Sequence, residues 1–191
     1  MANRDPEWMM AAVKASMRER TGRTLEQWVA VVQASGIDPL DQNAVRRWLK
    51  EKHGILQNSQ WAIADAAARA AGWERPTTDE YIAKQYAGQK AALRPIFERL
   101  REVLEGFGND VLLEGRSTYI PFIRKRQFVA IAAATRTRVD VGLRFVDAPS
   151  SRLLAPTNSL GQATHKFSLA SVKEINAEVK RLLRAAYDQN G

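Results

Sequence analysis

The stretch Arg138-Val139-Asp140-Val141-Gly142-Leu143-Arg144-Phe145 alternates apolar and polar residues without a break. Because side chains of a strand point to opposite faces in turn, this places Val139, Val141, Leu143 and Phe145 on one face and Arg138, Asp140 and Arg144 on the other. Such a period-2 pattern fits a strand with one buried face. Upstream, Tyr119-Ile120-Pro121-Phe122-Ile123 and Phe128-Val129-Ala130-Ile131-Ala132 read as two more strands, joined by the charged turn Arg124-Lys125-Arg126. Downstream, a loop with Pro149, Pro156 and Gly161 leads to a fourth strand around His165 to Leu169. Four strands in a row with short connections make an antiparallel sheet.

Helical patterns flank the sheet. Leu93 to Gly106 carries Ile96, Phe97, Leu100, Val103 and Leu104 at helical spacing, with Pro95 in its first turn. At the other end, Ser171-Val172-Lys173-Glu174 has the form of a capping box, opening a helix whose stripe is Val172, Ile175, Val179, Leu182, Leu183 and Ala186. Helix, sheet, helix is an α+β module, in which both helices cover one face of the sheet and leave the other to solvent or a partner.

Residues ahead of this module read as helical throughout. Asp5-Pro6-Glu7 begins a helix carrying Met9, Met10, Val13 and Met17, and Thr24-Leu25-Glu26-Gln27 is a capping box for a second that stops at Gly36. A third spans Asn43 to Lys52, with His53 interacting with its last carbonyls, and Ser59 opens a fourth, alanine-rich one ending at Gly72. A further helix runs from Thr77-Thr78-Asp79-Glu80 toward Gly88. The sequence therefore predicts an all-α domain over 1–87 and an α+β domain over 88–191. Trp8, Trp28, Trp48, Trp61 and Trp73 all fall on the helical half, as members of a small core.

The 191 residues include 29 Lys and Arg against 21 Asp and Glu, a net charge of +8, and no cysteine. Without cysteine there are no disulfides, thiol nucleophiles or thiolate metal sites, and the two histidines, His53 and His165, are too few for a histidine-rich metal centre. No stretch approaches the roughly 18 apolar residues of a membrane span. A cytoplasmic protein with no cofactor and no membrane partner is the expectation. The charge is uneven: residues 1–85 carry 12 basic and 11 acidic side chains, and residues 86–191 carry 17 and 10. Arg116, Arg124, Lys125, Arg126, Arg136, Arg138 and Arg144 concentrate the excess in the strand region.

Arginine suits bidentate contact with phosphate. A basic sheet face thus predicts a nucleic acid or another anionic ligand, held without strong sequence preference by Arg124, Lys125, Arg126, Arg136, Arg138 and Arg144, with Tyr119 adding stacking. The competing reading makes these arginines a solvated face, neutralised by cross-strand pairs such as Arg138–Asp140. A different class of function, a protein- or small-ligand-binding adaptor, would use a cleft between the domains near Tyr86 and Tyr187. Asp140 and His165 are the residues to which a polar site would be assigned.

Catalytic motifs fail on their details. Gly106-Phe107-Gly108 lacks the third glycine of a dinucleotide loop and follows a helix. Asp110 with Glu114-Gly115-Arg116 has arginine where a nuclease of that pattern needs lysine, and arginine does not give up its proton. The reading leans away from an enzyme.

Thr21-Gly22-Arg23-Thr24-Leu25-Glu26-Gln27-Trp28-Val29 and Trp48-Leu49-Lys50-Glu51-Lys52-His53-Gly54 resemble the N-terminal helical domain of a bacterial family of two-domain proteins of unknown function. Gln85-Tyr86-Ala87-Gly88-Gln89-Lys90-Ala91-Ala92-Leu93-Arg94-Pro95 resembles its connector. Tyr119 to Phe128, Thr137 to Leu143, Thr164-His165 and Ala186-Tyr187 are similar to its C-terminal domain, sometimes labelled a predicted transport protein. The resemblance implies the two-domain α+β organisation and brings no catalytic residues with it.

Overall fold

The computed structural model describes residues 13–191. The start of the first expected helix, from Asp5 to Met10, and Trp8 lie outside the described residues. The chain divides into two units, 1–75 and 76–191.

In the first unit, helices α1 (Met17–Thr21), α2 (Leu25–Ala34), α3 (Gln42–His53) and α4 (Gln57–Ala70) gather around Met17, Trp28, Val32, Val45, Leu49, Ile63 and Ala67. Local chemistry sets their ends. Thr24 and Gln27 form the expected reciprocal capping box, and Asp41 caps α3 by accepting from the Ala44 N–H at 2.9 Å. Gly36 and Gly54 take positive φ, which lets the chain leave α2 and α3 without a Cβ clash. Of the described tryptophans only Trp28 is buried, its indole N–H donating to Thr21 Oγ1 at 2.7 Å. Trp48 is partly buried, while Trp61 and Trp73 lie under the guanidinium groups of Arg46 and Arg69, so the shared tryptophan core is not formed. His53 sits edge-on between Trp28 and Trp48 and not on the helix carbonyls.

The second unit begins earlier than the expected residue 88. Helix α5 (Thr78–Gln85) belongs to it because Ile82 and Tyr86 join its core. Two polar side chains hold the segment there: Gln85 Oε1 accepts from the Ala133 N–H at 3.1 Å, and Lys90 Nζ donates to the Ala133 carbonyl at 2.5 Å. A 3-10 turn over Gly88–Leu93 leads into α6 (Arg94–Glu105).

Then come β1 (Leu112–Leu113), β2 (Ile120–Ile123), β3 (Gln127–Ala132), β4 (Val139–Leu143), β5 (Ala155–Pro156) and β6 (His165–Leu169). They form one sheet in the order β1-β2-β3-β4-β6-β5, each pair antiparallel. The last helix, α7 (Ala177–Gln189), starts later than expected. Ser171 instead accepts from the Lys173 N–H and Glu174 from the Ala170 N–H around a 3-10 turn, and Asn176 caps α7 through the Val179 N–H. Val172 is consequently left exposed.

The register places Ile120, Phe122, Val129, Ile131, Val139, Val141, Leu143, Phe167 and Leu169 on one face, against Phe97, Leu100 and Leu104 of α6 and Val179, Leu182 and Leu183 of α7. Each fully buried large apolar side chain there contributes about 1.5–3 kcal/mol. The expected pairing of both helices with one face is what the structure has.

The other face is not open. Its central row, Pro121, Ala130 and Gly142, is buried and made of small residues, because the 157–163 loop folds back across it. A Cβ at Gly142 would lie 2.8 Å from the Ala163 Cβ and 3.0 Å from that of Leu160. Gln127 Nε2 fastens the loop by donating to the Leu160 carbonyl at 2.9 Å. Leu160 itself has φ 63°, a conformation costly for a branched residue and imposed by this crossing.

Candidate functional site

Topology separates the predicted basic residues into two groups. Arg124, Lys125 and Arg126 form the β2–β3 turn, and Arg144 follows β4 at the same end, where its N–H donates to the Phe128 carbonyl. Arg136 and Arg138 lie in the β3–β4 connection at the opposite end. The six residues of β3 put about 20 Å between the two ends. A single arginine-lined face is therefore not formed.

Several of these groups are also already engaged. Asp110 precedes β1, and because Leu112 pairs with Ile123, it is carried beside the β2–β3 turn. There Asp110 Oδ2 takes the Arg124 Nε at 2.6 Å, while Oδ1 accepts from the Tyr187 hydroxyl at 2.7 Å. The Arg124 and Arg184 guanidiniums lie 4.2 and 5.0 Å from the Tyr187 ring centroid. Arg124 first, then Tyr187, holds the Asp110 carboxyl below the ordinary aspartate range. The same bond to Asp110 raises the pKa of Tyr187.

Asp140 plays the equivalent part at the other end. It is 5% exposed and meets Lys166 Nζ at 3.0 Å, Arg138 Nε at 3.2 Å and the Ser168 hydroxyl at 2.8 Å. Burial pushes this carboxyl up; Ser168, Lys166 and Arg138 outweigh it, and the group titrates below its usual range. His165 is no partner of Asp140. It pairs with Leu143, three positions along β4 and on the opposite face, and its Nδ1 lies 3.0 Å from Thr164 Oγ1 with the ring near Phe145. Asp140 and His165, the residues to which a polar site was to be assigned, are thus not brought together.

Arg144 bonds to the Gln162 side chain and Arg116 to Glu114. Tyr119 is half-buried, with its hydroxyl packed where a Cβ on Gly161 would come within 2.6 Å, so it is part of the loop's seat and not a free stacking ring. Lys125, Arg126 and Arg136 are exposed, and their side chains have no hydrogen-bond or ion-pair partner among the described residues. The turn that presents the first two is held firmly: the Arg124 N–H donates to the Arg126 carbonyl and the Lys125 N–H to the Asn190 carbonyl, at 2.9 and 3.2 Å. Tyr86 and Tyr187, expected beside an inter-domain cleft, are both buried in the core of the second unit.

Sequence pattern raises Asp110 only against a nuclease pattern and Tyr187 only beside a cleft; their meeting with Arg124 at the hairpin, with Arg184 alongside, is what it missed. Their signal was faint: an acid two residues before a two-residue strand. Among the described residues no group of three or more His, Asp or Glu side chains is placed to hold a metal ion, and no helix is long and apolar enough to cross a membrane.

A family model for a domain of unknown function (DUF5655) matches residues 82–190, and one for a second domain of unknown function (DUF4287) matches residues 10–67. The two matches flank the division between Arg75 and Pro76. No curated protein and no solved structure matches the chain. With more than half of its residues inside the first match, the chain belongs to the DUF5655 family and carries a DUF4287 segment ahead of that domain.

Proposed function

We propose that the DUF5655 domain is a non-enzymatic binding module for the phosphate backbone of nucleic acid, engaging it at the β2–β3 turn. The observation that carries this reading is the adjacent pair Lys125 and Arg126, exposed, their side chains without partners among the described residues, on a turn that the Asn190 carbonyl and the Arg124–Asp110 pair hold in place. A turn already held by hydrogen bonds spares the backbone part of the ordering cost on meeting phosphate, leaving the two side chains to be immobilised, and such contacts are insensitive to base sequence. Arg124 is a positioning residue in this scheme, since its charge is spent on Asp110. Arg136 and Arg138, at the far end of the sheet, are outside the contact.

The test is binding of the full chain to a labelled random-sequence duplex, followed by anisotropy at about 50 and 200 mM salt. Affinity should fall steeply with salt, and the Lys125→Ala, Arg126→Ala double variant should flatten that slope by about two. An absence of binding at low salt, or an unchanged slope in the double variant, overturns the reading.

A further inference from the structure

We infer that the first unit carries its own site for a phosphate group, at the N-terminus of α4, and that its ligand is a small phosphate monoester. This goes beyond the reading above and depends on none of its residues. Helix α4 is 14 residues long, and its N-cap is Leu56, which is 81% exposed and supplies no capping bond. The backbone N–H groups of Gln57, Asn58 and Ser59 consequently have no acceptor among the described residues. Free N–H groups at the positive end of a helix dipole are suited to an anion.

A second, independent observation points to a ligand there. Ser59 is only 3% exposed, yet its hydroxyl has no hydrogen-bond partner among the described residues. It lines a cleft of about 580 Å³ together with Arg20, Thr21, His53 and the turn from Gly54 to Asn58. His53 Nε2, wedged between the two tryptophans, is buried without a hydrogen-bond partner among the described residues. A phosphate oxygen entering the cleft would give the Ser59 hydroxyl the acceptor that the described residues do not supply.

The charge agrees. A neighbouring cleft of about 480 Å³ shares Gly54, Ile55, Leu56 and Gln57 and adds Arg46, Lys50 and Trp61; neither cleft is lined by any Asp or Glu. The turn between α3 and α4 is held in place, with the Gly54 and Ile55 N–H groups donating to the Lys50 and Leu49 carbonyls and Gln60 Nε2 to the Ile55 carbonyl. Volumes of this size exceed what a bare ion fills and match those of small-molecule sites. Phosphate would sit on Gln57, Asn58 and Ser59 with Arg20 beside it, and the body of the ligand would lie along Ile55 and Leu56.

The experiment is an amide NMR titration of the full chain, at constant ionic strength set with chloride, using inorganic phosphate, a nucleoside monophosphate, the same nucleoside without phosphate, and a single-stranded oligonucleotide. The expected result is saturable movement of the Gln57, Asn58 and Ser59 amides with the monophosphate, weaker with inorganic phosphate and absent with the nucleoside. Arg20→Gln should weaken binding about tenfold or more and Ser59→Ala about three- to tenfold, while Lys125→Ala leaves it unchanged. Amides that do not move, or variants with otherwise native spectra that bind as the parent does, overturn the site. Equal affinity for inorganic phosphate and the monophosphate, or tighter binding of the oligonucleotide at the same amides, overturns the assignment of the ligand. Failure of duplex binding at Lys125 and Arg126 would leave these readings untouched, so the two proposals fail separately.

Discussion

The Tyr187 hydroxyl donates to one oxygen of the Asp110 carboxylate at 2.7 Å, joining residues 77 positions apart, while the other oxygen of that carboxylate takes Arg124. This three-residue knot fixes α7 to the β2–β3 turn. Arg124 contributes most to holding the Asp110 proton off, and Tyr187 follows. In Arg124→Gln the Asp110 carboxyl should therefore titrate at higher pH than in the parent chain, and in Tyr187→Phe it should move the same way by less. Carboxyl-carbon NMR titration reads both, and a larger shift in Tyr187→Phe would contradict the order.

Acid should weaken the fold through Asp140 as well. Its folded pKa is depressed, so its contribution to stability is fully present above the unfolded value of about 4 and disappears as pH falls through the folded value. Asp140→Ala removes the acceptor shared by Lys166, Arg138 and Ser168 and should cost about 1.5–3 kcal/mol near neutral pH. Denaturant unfolding should show that deficit shrinking below pH 4. A deficit independent of pH would mean that packing, and not charge, accounts for it.

Gly142→Val should destabilise by about 1–3 kcal/mol, because the new side chain meets Ala163 and Leu160 before it meets space. Combining it with Leu160→Ala should recover part of the loss, since the crossing loop then has room to settle. Strictly additive effects of the two substitutions would show that the loop does not lie against this strand in solution.

Tyr86 offers a test in the opposite direction. Its hydroxyl is buried without a partner, and burial raises its pKa. Tyr86→Phe removes a polar group that gains nothing from being inside, so stability should stay level or rise by about 1 kcal/mol. A marked loss would reveal a bond that the geometry does not contain.

Much of the architecture could be read from pattern alone. The alternation from Val139 to Phe145 marks β4, Thr24 with Gln27 marks the start of α2, and Leu100 and Leu104 mark the buried side of α6, because each is a local signal that tertiary packing reinforces. The site was less legible. Charge counting along the chain found the arginines but not Asp110, which reaches Arg124 only because a two-residue strand pairs with β2. Nor did it show that the 157–163 loop would cover the far face, since Gly142 and Ala130 give no sequence sign of what lies over them. Ser171 illustrates a local ambiguity: its hydroxyl can cap a helix or close a tight turn, and Asn176 downstream decided between them.

The two borders of the sheet are only two residues long each, β1 on one side and β5, with Pro156, on the other. A border that short offers scarcely a rung to an incoming extended peptide, and proline withholds one of the donors. Strand addition at these two borders, and edge-to-edge polymerisation through them, are thereby disfavoured. Side chains, more than an open backbone ladder, are then what the domain offers to its surroundings, and concentrated solutions of it should stay free of cross-β material.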